Sequence, residues 1–199
     1  MTKDGSAQII VKPTADGIAA AVTQAAKRGP PPVHLWNPPF CGDIDIRIAR
    51  DGTWYYLGTP IGRAPLVRLF SSILKRESGR YYLVTPAEKV GITVDDAPLL
   101  AVDFTVLNPG PDQVIRFVTK TEDEVEASAT DQIRLATDAE TGEPTPYVHV
   151  RAGLEAMIDR KSFYRLVDLG VHSLCDDARW FGVWSHGTFF PMIPSAELP

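Results

Sequence analysis

Asp51-Gly52-Thr53-Trp54-Tyr55 and His186-Gly187-Thr188-Phe189-Phe190 are two versions of one pattern: a turn pair, a threonine, then two aromatics. Apolar residues alternate before each copy, so each reads as a hairpin whose return strand is aromatic. Working outward, Arg63-Ala64-Pro65-Leu66 is echoed by Arg151-Ala152-Gly153-Leu154. Each opens a helix-like stretch that runs into an aromatic strand, Tyr81-Tyr82-Leu83-Val84 and Phe163-Tyr164-Arg165-Leu166-Val167. Two copies of such a module mean a duplicated domain rather than a solenoid, and ligands favour the space between paired units.

The expected fold class is α+β: two related halves of antiparallel strands with one helix each. An N-terminal arm and helix would occupy 1–35, the first unit 36–96 and the second 97–199. In the arm, Thr14 caps a helix reaching Arg28, with Ile18, Val22, Ala25 and Ala26 on one face. Trp36 to Gly42 is a proline-rich loop. Asp43 to Ile48 alternates strictly, with Ile44, Ile46 and Ile48 on one side, and reads as a half-buried strand. A helix is predicted over Arg63–Arg76, then strands over Arg80–Thr85 and Val90–Val94. In the second unit, strands are predicted at Leu99–Leu107, Gln113–Thr119, Val125–Ser128, Gln132–Ala136 and Tyr147–Val150. Asp138–Pro146 is a hairpin loop. A helix follows over Arg151–Arg160, a strand over Ser162–Asp168, a polar loop over Asp176–Arg179, and a final hairpin over Trp180–Ile193. The module order therefore differs between the halves, as a duplication with a shifted start would produce.

The 199 residues are 44% hydrophobic and 23% charged, the profile of an ordinary globular chain. Net charge is −5, which argues against nucleic acid or an anionic membrane as partner. No apolar run approaches a membrane span, and the first residues are not a secretory signal. With two cysteines, Cys41 and Cys175, no disulfide framework is indicated, and a cytoplasmic location is the expectation. Charge is unevenly spread. Pro60–Val90 carries six basic residues against Glu77 and Glu88, whereas Asp95–Thr145 carries twelve acidic residues against Arg116, Lys120 and Arg134. Such segments either attract each other across an interface or leave a basic rim for an anion.

No cofactor signature is present: neither a dinucleotide fingerprint nor a Walker loop occurs. Gly58-Thr59-Pro60-Ile61-Gly62-Arg63 leads from strand to helix, a place where free N–H groups and an arginine suit an anion. Arg63 and Arg151, at matching places in the pattern, would clamp a phosphate or carboxylate in one cleft. The alternative is that either arginine is a structural pin. His172-x-x-Cys175 lacks a second paired motif for zinc. Cys41, beside Gly42, is the candidate nucleophile of a hydrolase alternative. Trp54 and Trp184 are candidates to stack on a flat ligand.

Asn37-Pro38-Pro39-Phe40-Cys41-Gly42-Asp43-Ile44-Asp45-Ile46-Arg47-Ile48, together with Asp51 to Arg63, Leu66 to Leu74 and Tyr81 to Val90, carries a family resemblance. Asp96-Ala97-Pro98, Arg151-Ala152-Gly153-Leu154 and Gly182-Val183-Trp184-Ser185 extend it. From about Trp36 the chain resembles the proteobacterial family called domain of unknown function 1285. The resemblance implies a duplicated α+β core, a second half loosely like a pleckstrin-homology barrel, and a cleft between the halves for a nucleotide-like molecule. It also implies a role in bacterial signalling, with a protein partner in the pathway. No catalytic residues are carried across. Position and chemistry put Arg63 and Arg151 on the phosphate, Arg47 and Lys89 beside them, and Trp54 or Trp184 against the base. The rivals to this ligand-binding module are the hydrolase and a protein-interaction domain.

Overall fold

The alternation at Ile44, Ile46 and Ile48 is realised as burial: the three are 8%, 1% and 0% exposed, while Asp43, Asp45 and Arg47 face out. They sit in the central strand of the first sheet of the computed structural model, which describes residues 13–25, 31–137 and 142–198. Helix α1 (Ala15–Ala25) comes first, with Thr14 Oγ1 accepting from Gly17 N–H at 3.2 Å. Ile18 and Val22 of its inner face are fully buried. The arm up to residue 12, and the expected helical extension past Ala25, lie outside the described residues.

The first sheet contains β1 (Phe40–Ile48), β2 (Trp54–Tyr56), β3 (Thr59–Pro60), β4 (Leu74–Glu77), β5 (Arg80–Val84) and β6 (Lys89–Val94), in the order β3-β2-β1-β6-β5-β4. Neighbours are antiparallel except β1 and β6, which run parallel. Helix α2 (Ala64–Ser72) links β3 to β4. The predicted helix thus stops four residues early. Ile73 N–H turns back to Phe70 O, and Leu74–Glu77 pairs with β5 across the Ser78-Gly79 hairpin turn. The loop before β1 is also shorter than expected, since pairing begins at Phe40.

The second sheet contains β7 (Leu99–Leu107), β8 (Val114–Thr119), β9 (Glu124–Glu126), β10 (Ile133–Thr137), β11 (Pro144–Arg151) and β12 (Leu154–Ile158). Its order, β9-β8-β7-β12-β11-β10, follows the path of the first, again with one parallel pair, β7 with β12, at the centre. The duplication is therefore present in the connectivity: two three-stranded meanders closed by their first and last strands. Helix α3 (Arg160–Val167) and a further meander, β13 (Val171–Cys175), β14 (Ala178–Ser185) and β15 (Thr188–Pro194), complete the chain. One helix accompanies each sheet, but the likeness to a pleckstrin-homology barrel is loose, because three strands follow α3.

The matching of segments differs from the expected one. Arg151-Ala152-Gly153-Leu154 is a hairpin turn, not a helix start: Ala152 and Gly153 both have positive φ (46° and 75°), and Arg151 pairs with Leu154. Positive φ at both loop residues gives the turn whose twist suits a two-residue hairpin. Leu154, Ala156 and Ile158 are then buried at every second position, as a strand requires. The next segment, expected as a strand, is α3, because the Asp159 carboxylate accepts from Ser162 N–H at 2.7 Å and starts a helix. Connectivity aligns β1–β2 with β7–β8, so the turn at Asp51-Gly52 has its counterpart in the first hairpin of the second sheet. His186-Gly187 belongs to the added meander, whose first strand, β13, replaces the residues before the expected polar loop.

Buried apolar side chains of both sheets form one connected cluster, including Trp54 and Phe70 from the first and Phe104 and Phe117 from the second. Trp54 stacks on Phe70 with centroids 6.2 Å apart, and Phe104 meets Phe117 at 5.6 Å. Among the described residues, no helix is long and apolar enough to cross a membrane.

Candidate anion site at the seam between the sheets

Helix α2 begins at Arg63, with Pro65 in its first turn, and lies against the turn between β8 and β9. Two hollows meet at its start, sharing Gly62 and Ala64. One, of about 690 Å³, lies between α1 and α2 and is lined by Thr23, Arg63 and Leu66. The other, of about 180 Å³, lies between the β1–β2 turn and α2, with Thr53, Trp54, Arg68 and Lys120 in its walls.

Three cations stand around these hollows. Arg63 is exposed and has no ion pair or side-chain hydrogen bond among the described residues. Arg68 Nη1 meets Glu122 Oε1 across the seam, and Lys120 Nζ donates to Asp51 O at 3.1 Å. The Thr53 N–H bond holds the Asp51 carboxyl below its usual range, so a negative charge stands beside Lys120. Helix termini and guanidinium groups together suit an anion, although Pro65 removes one N–H from this start.

The other predicted site residues are placed elsewhere. Arg151 donates to Asp123 and, at 2.9 Å, to Ser71 O near the end of α2. Ser71 lies eight residues beyond Arg63, roughly 12 Å along a helix axis, so the two arginines do not share a hollow. Arg47 grips Asp95 through Nε and Nη2 at 3.0 and 2.9 Å and lies over the Tyr55 ring; Asp95 raises its pKa further. Lys89, at the other end of the β1–β6 pairing, is bound to Glu77 at 2.6 Å and lies over Tyr82. Trp54 is 2% exposed, a core residue that also lines the smaller hollow. Trp184 is 37% exposed on β14, tilted against Phe189, and lines a separate hollow with Gln113 and Val171. Cys41 is an exposed free thiol at the start of β1, outside both seam hollows. No group of three or more His, Cys, Asp or Glu suited to a metal occurs among the described residues.

Arg68 and Lys120 were not singled out from the sequence. Arg68 was one of six basic residues in its segment, and Lys120 was hidden in the most acidic one. Expected attraction between those segments is realised in Arg68–Glu122. Elsewhere the seam is crossed by Arg50, which pairs with Asp96 of its own unit at 3.1 Å and donates to Thr145 of the other at 3.2 Å. Tyr147 OH donates to the same Asp96 at 2.7 Å, beneath the Arg134 guanidinium. Burial, then this bond, pushes the Tyr147 hydroxyl up to about 12.

Comparison with known proteins follows the two-sheet division. Residues 31–97 match the family model "Domain of unknown function (DUF1285), N-terminal domain", and residues 98–192 match "Protein of unknown function (DUF1285), C-terminal domain". No curated protein matches the chain. A crystal structure of a DUF1285 family protein from Silicibacter pomeroyi DSS-3 is similar to it, with 61% identity and a TM-score of 0.82. That match covers 92% of this chain and 98% of the other. A DUF1285 family protein from Shewanella baltica OS155 is 29% identical, covering 62% of this chain and 90% of its own, with a TM-score of 0.49. The chain belongs to the DUF1285 family.

Proposed function

We propose that the protein is a regulatory module of bacterial signalling that binds a small anionic, nucleotide-like ligand at the seam where α2 begins. The observation that carries this reading is the gathering of Arg63, Arg68 and Lys120 around two adjoining hollows, with no counter-charge on Arg63 among the described residues. A guanidinium binds phosphate bidentately, and an exposed one gives up no internal partner to do so. The apolar walls, Ile61, Leu66 and Val67, are suited to the uncharged part of such a ligand. Arg47, Lys89 and Arg151 are each held by a carboxylate and line neither hollow, so in this reading they support the fold around the site rather than the ligand.

The test is a thermal-shift and calorimetric screen against nucleotides and nucleotide-derived messengers. A true ligand at a hundredfold excess over its Kd stabilises the folded state by about 2.7 kcal/mol. The shift is expected to vanish in Arg63→Ala and Arg68→Ala. It should persist in Arg47→Ala, whose cation lies outside the hollows. A panel without any saturable shift refutes the reading.

A further inference from the structure

The β1–β2 and β8–β9 turns share one hydrogen-bond pattern. Ala49 N–H donates to Thr53 O and Gly52 N–H to Ala49 O; Thr119 N–H donates to Asp123 O and Glu122 N–H to Thr119 O, each at 2.9 Å. The residue before each closing position is left-handed, with φ of 72° at Gly52 and 68° at Glu122. Glycine adopts that conformation without steric cost, whereas glutamate does not. Position 122 therefore carries a carboxylate where the local backbone favours glycine. That carboxylate reaches across the seam to Arg68, a wall of the smaller hollow.

We infer that Glu122 occupies the place of a ligand's first negative charge, making the seam select phosphate-class anions of multiple charge over monocarboxylates. This rests on the proposed anion-binding reading. A monocarboxylate arriving at Arg68 exchanges one carboxylate for another, and the tethered Glu122 has the advantage of effective concentration. A multiply charged group bonds Arg68 and also engages Lys120 in the same hollow or Arg63 in the adjoining one. Only such an anion gains more than Glu122 already supplies. Release of Glu122 is cheap, since its side chain is 66% exposed and returns to water. The turn stays closed without it. Thr121 Oγ1 donates to Asp123 Oδ2 at 2.8 Å, and Asp123 N–H donates to Thr119 Oγ1 at 2.9 Å.

The experiment is calorimetry on the full chain with sodium acetate and inorganic pyrophosphate at matched ionic strength, for wild type, Glu122→Gln, Glu122→Gly and Arg68→Ala. Wild type is expected to prefer pyrophosphate. Both Glu122 variants should tighten acetate by up to about fivefold, the worth of an exposed ion pair, and pyrophosphate less, so that the preference narrows. Arg68→Ala should weaken pyrophosphate. Glutamine keeps the side chain's size and glycine relieves the turn, so an effect confined to one of them overturns the inference. An unchanged preference in both, with Arg68→Ala still abolishing pyrophosphate binding, overturns it while leaving the anion site standing. Absence of pyrophosphate binding in wild type and variants alike removes the anion site and the inference together.

Discussion

The sheet of residues 40–94 and the sheet of residues 99–158 trace the same path with different links. Between its third and fourth strands the first inserts α2; the second crosses by residues 127–132, held by Ser128 N–H donating to Asp131 O at 3.0 Å. The helix of the second unit comes only after the last strand of its six-stranded sheet. Each meander is held by its own hairpins, and the central parallel pair joins them, so a link can be long or short without changing the sheet. The difference bears on function. Helix α2 starts beside Arg68 and Lys120, whereas α3 starts at Arg160 in a separate hollow that Arg50 and Thr145 also line, so the two helix starts do not converge on one site, where the sequence pattern suggests an arginine from each half.

Because both sheets feed one connected core, damage in either should unfold both. Trp54→Ala is expected to cost about 3–5 kcal/mol and to lower a single cooperative calorimetric transition. Two resolved transitions would show that the units are independent. The supposed pair of arginines should then separate sharply. Arg151→Met, which removes charge-assisted bonds to Asp123 and Ser71 O, is expected to lose about 1.5–3 kcal/mol in chemical denaturation. Arg63→Ala should stay within about 0.5 kcal/mol. Equal losses would restore their equivalence.

The two turns that share a hydrogen-bond pattern, β1–β2 and β8–β9, offer a finer contrast. Gly52→Ala forces a side chain into left-handed backbone, with its Cβ 3.1 Å from Leu100 Cβ, and should cost about 1–2 kcal/mol. Glu122→Gly relieves the same conformation at the expense of an exposed ion pair, so it should be neutral or stabilising by up to about 1 kcal/mol. Similar losses from the two changes would mean that the turns are not alike in energy.

The smallest expected effect concerns pH. Tyr147 on β11 has its folded pKa raised from 10.0 to about 12 by burial and its bond to Asp96. Its contribution is complete below pH 10 and is lost as pH rises towards 12, because the unfolded chain ionises first. Tyr81, on the corresponding strand β5, is raised as well, by burial. Tyr147→Phe should flatten the alkaline decline in stability measured by denaturant titration; an unaltered slope would place that decline elsewhere.

Much of the strand pattern was readable because it is local. Alternation at Ile44–Ile46–Ile48 and the turn residues around Gly52 and Gly187 set hairpins through neighbours a few residues apart. Misreadings arose where two local signals compete. Leu69, Phe70, Ile73 and Leu74 suit a helix face, yet Leu74 is taken by the edge of a sheet. Leu154 to Ile158 fits either period until the Ala152-Gly153 turn commits it to a strand. At the candidate site, Arg63 stood out by its place before a helix, whereas Arg68 and Lys120 acquire meaning only through neighbours more than fifty residues away.

By itself, the amino-acid order determined an α+β chain of duplicated character, its hairpins and the residues that must be buried. These depend on periodicity and turn chemistry within a short stretch of backbone. Tertiary structure alone decided that β1 pairs parallel with β6, and β7 with β12. It also decided that Arg47 and Arg151 are held by carboxylates while Arg63 has none among the described residues, and that Glu122 faces Arg68. Most of these pairings join residues about fifty positions apart, and even Arg151 and Asp123 are 28 apart, so a charge carries no local mark of which distant partner will neutralise it.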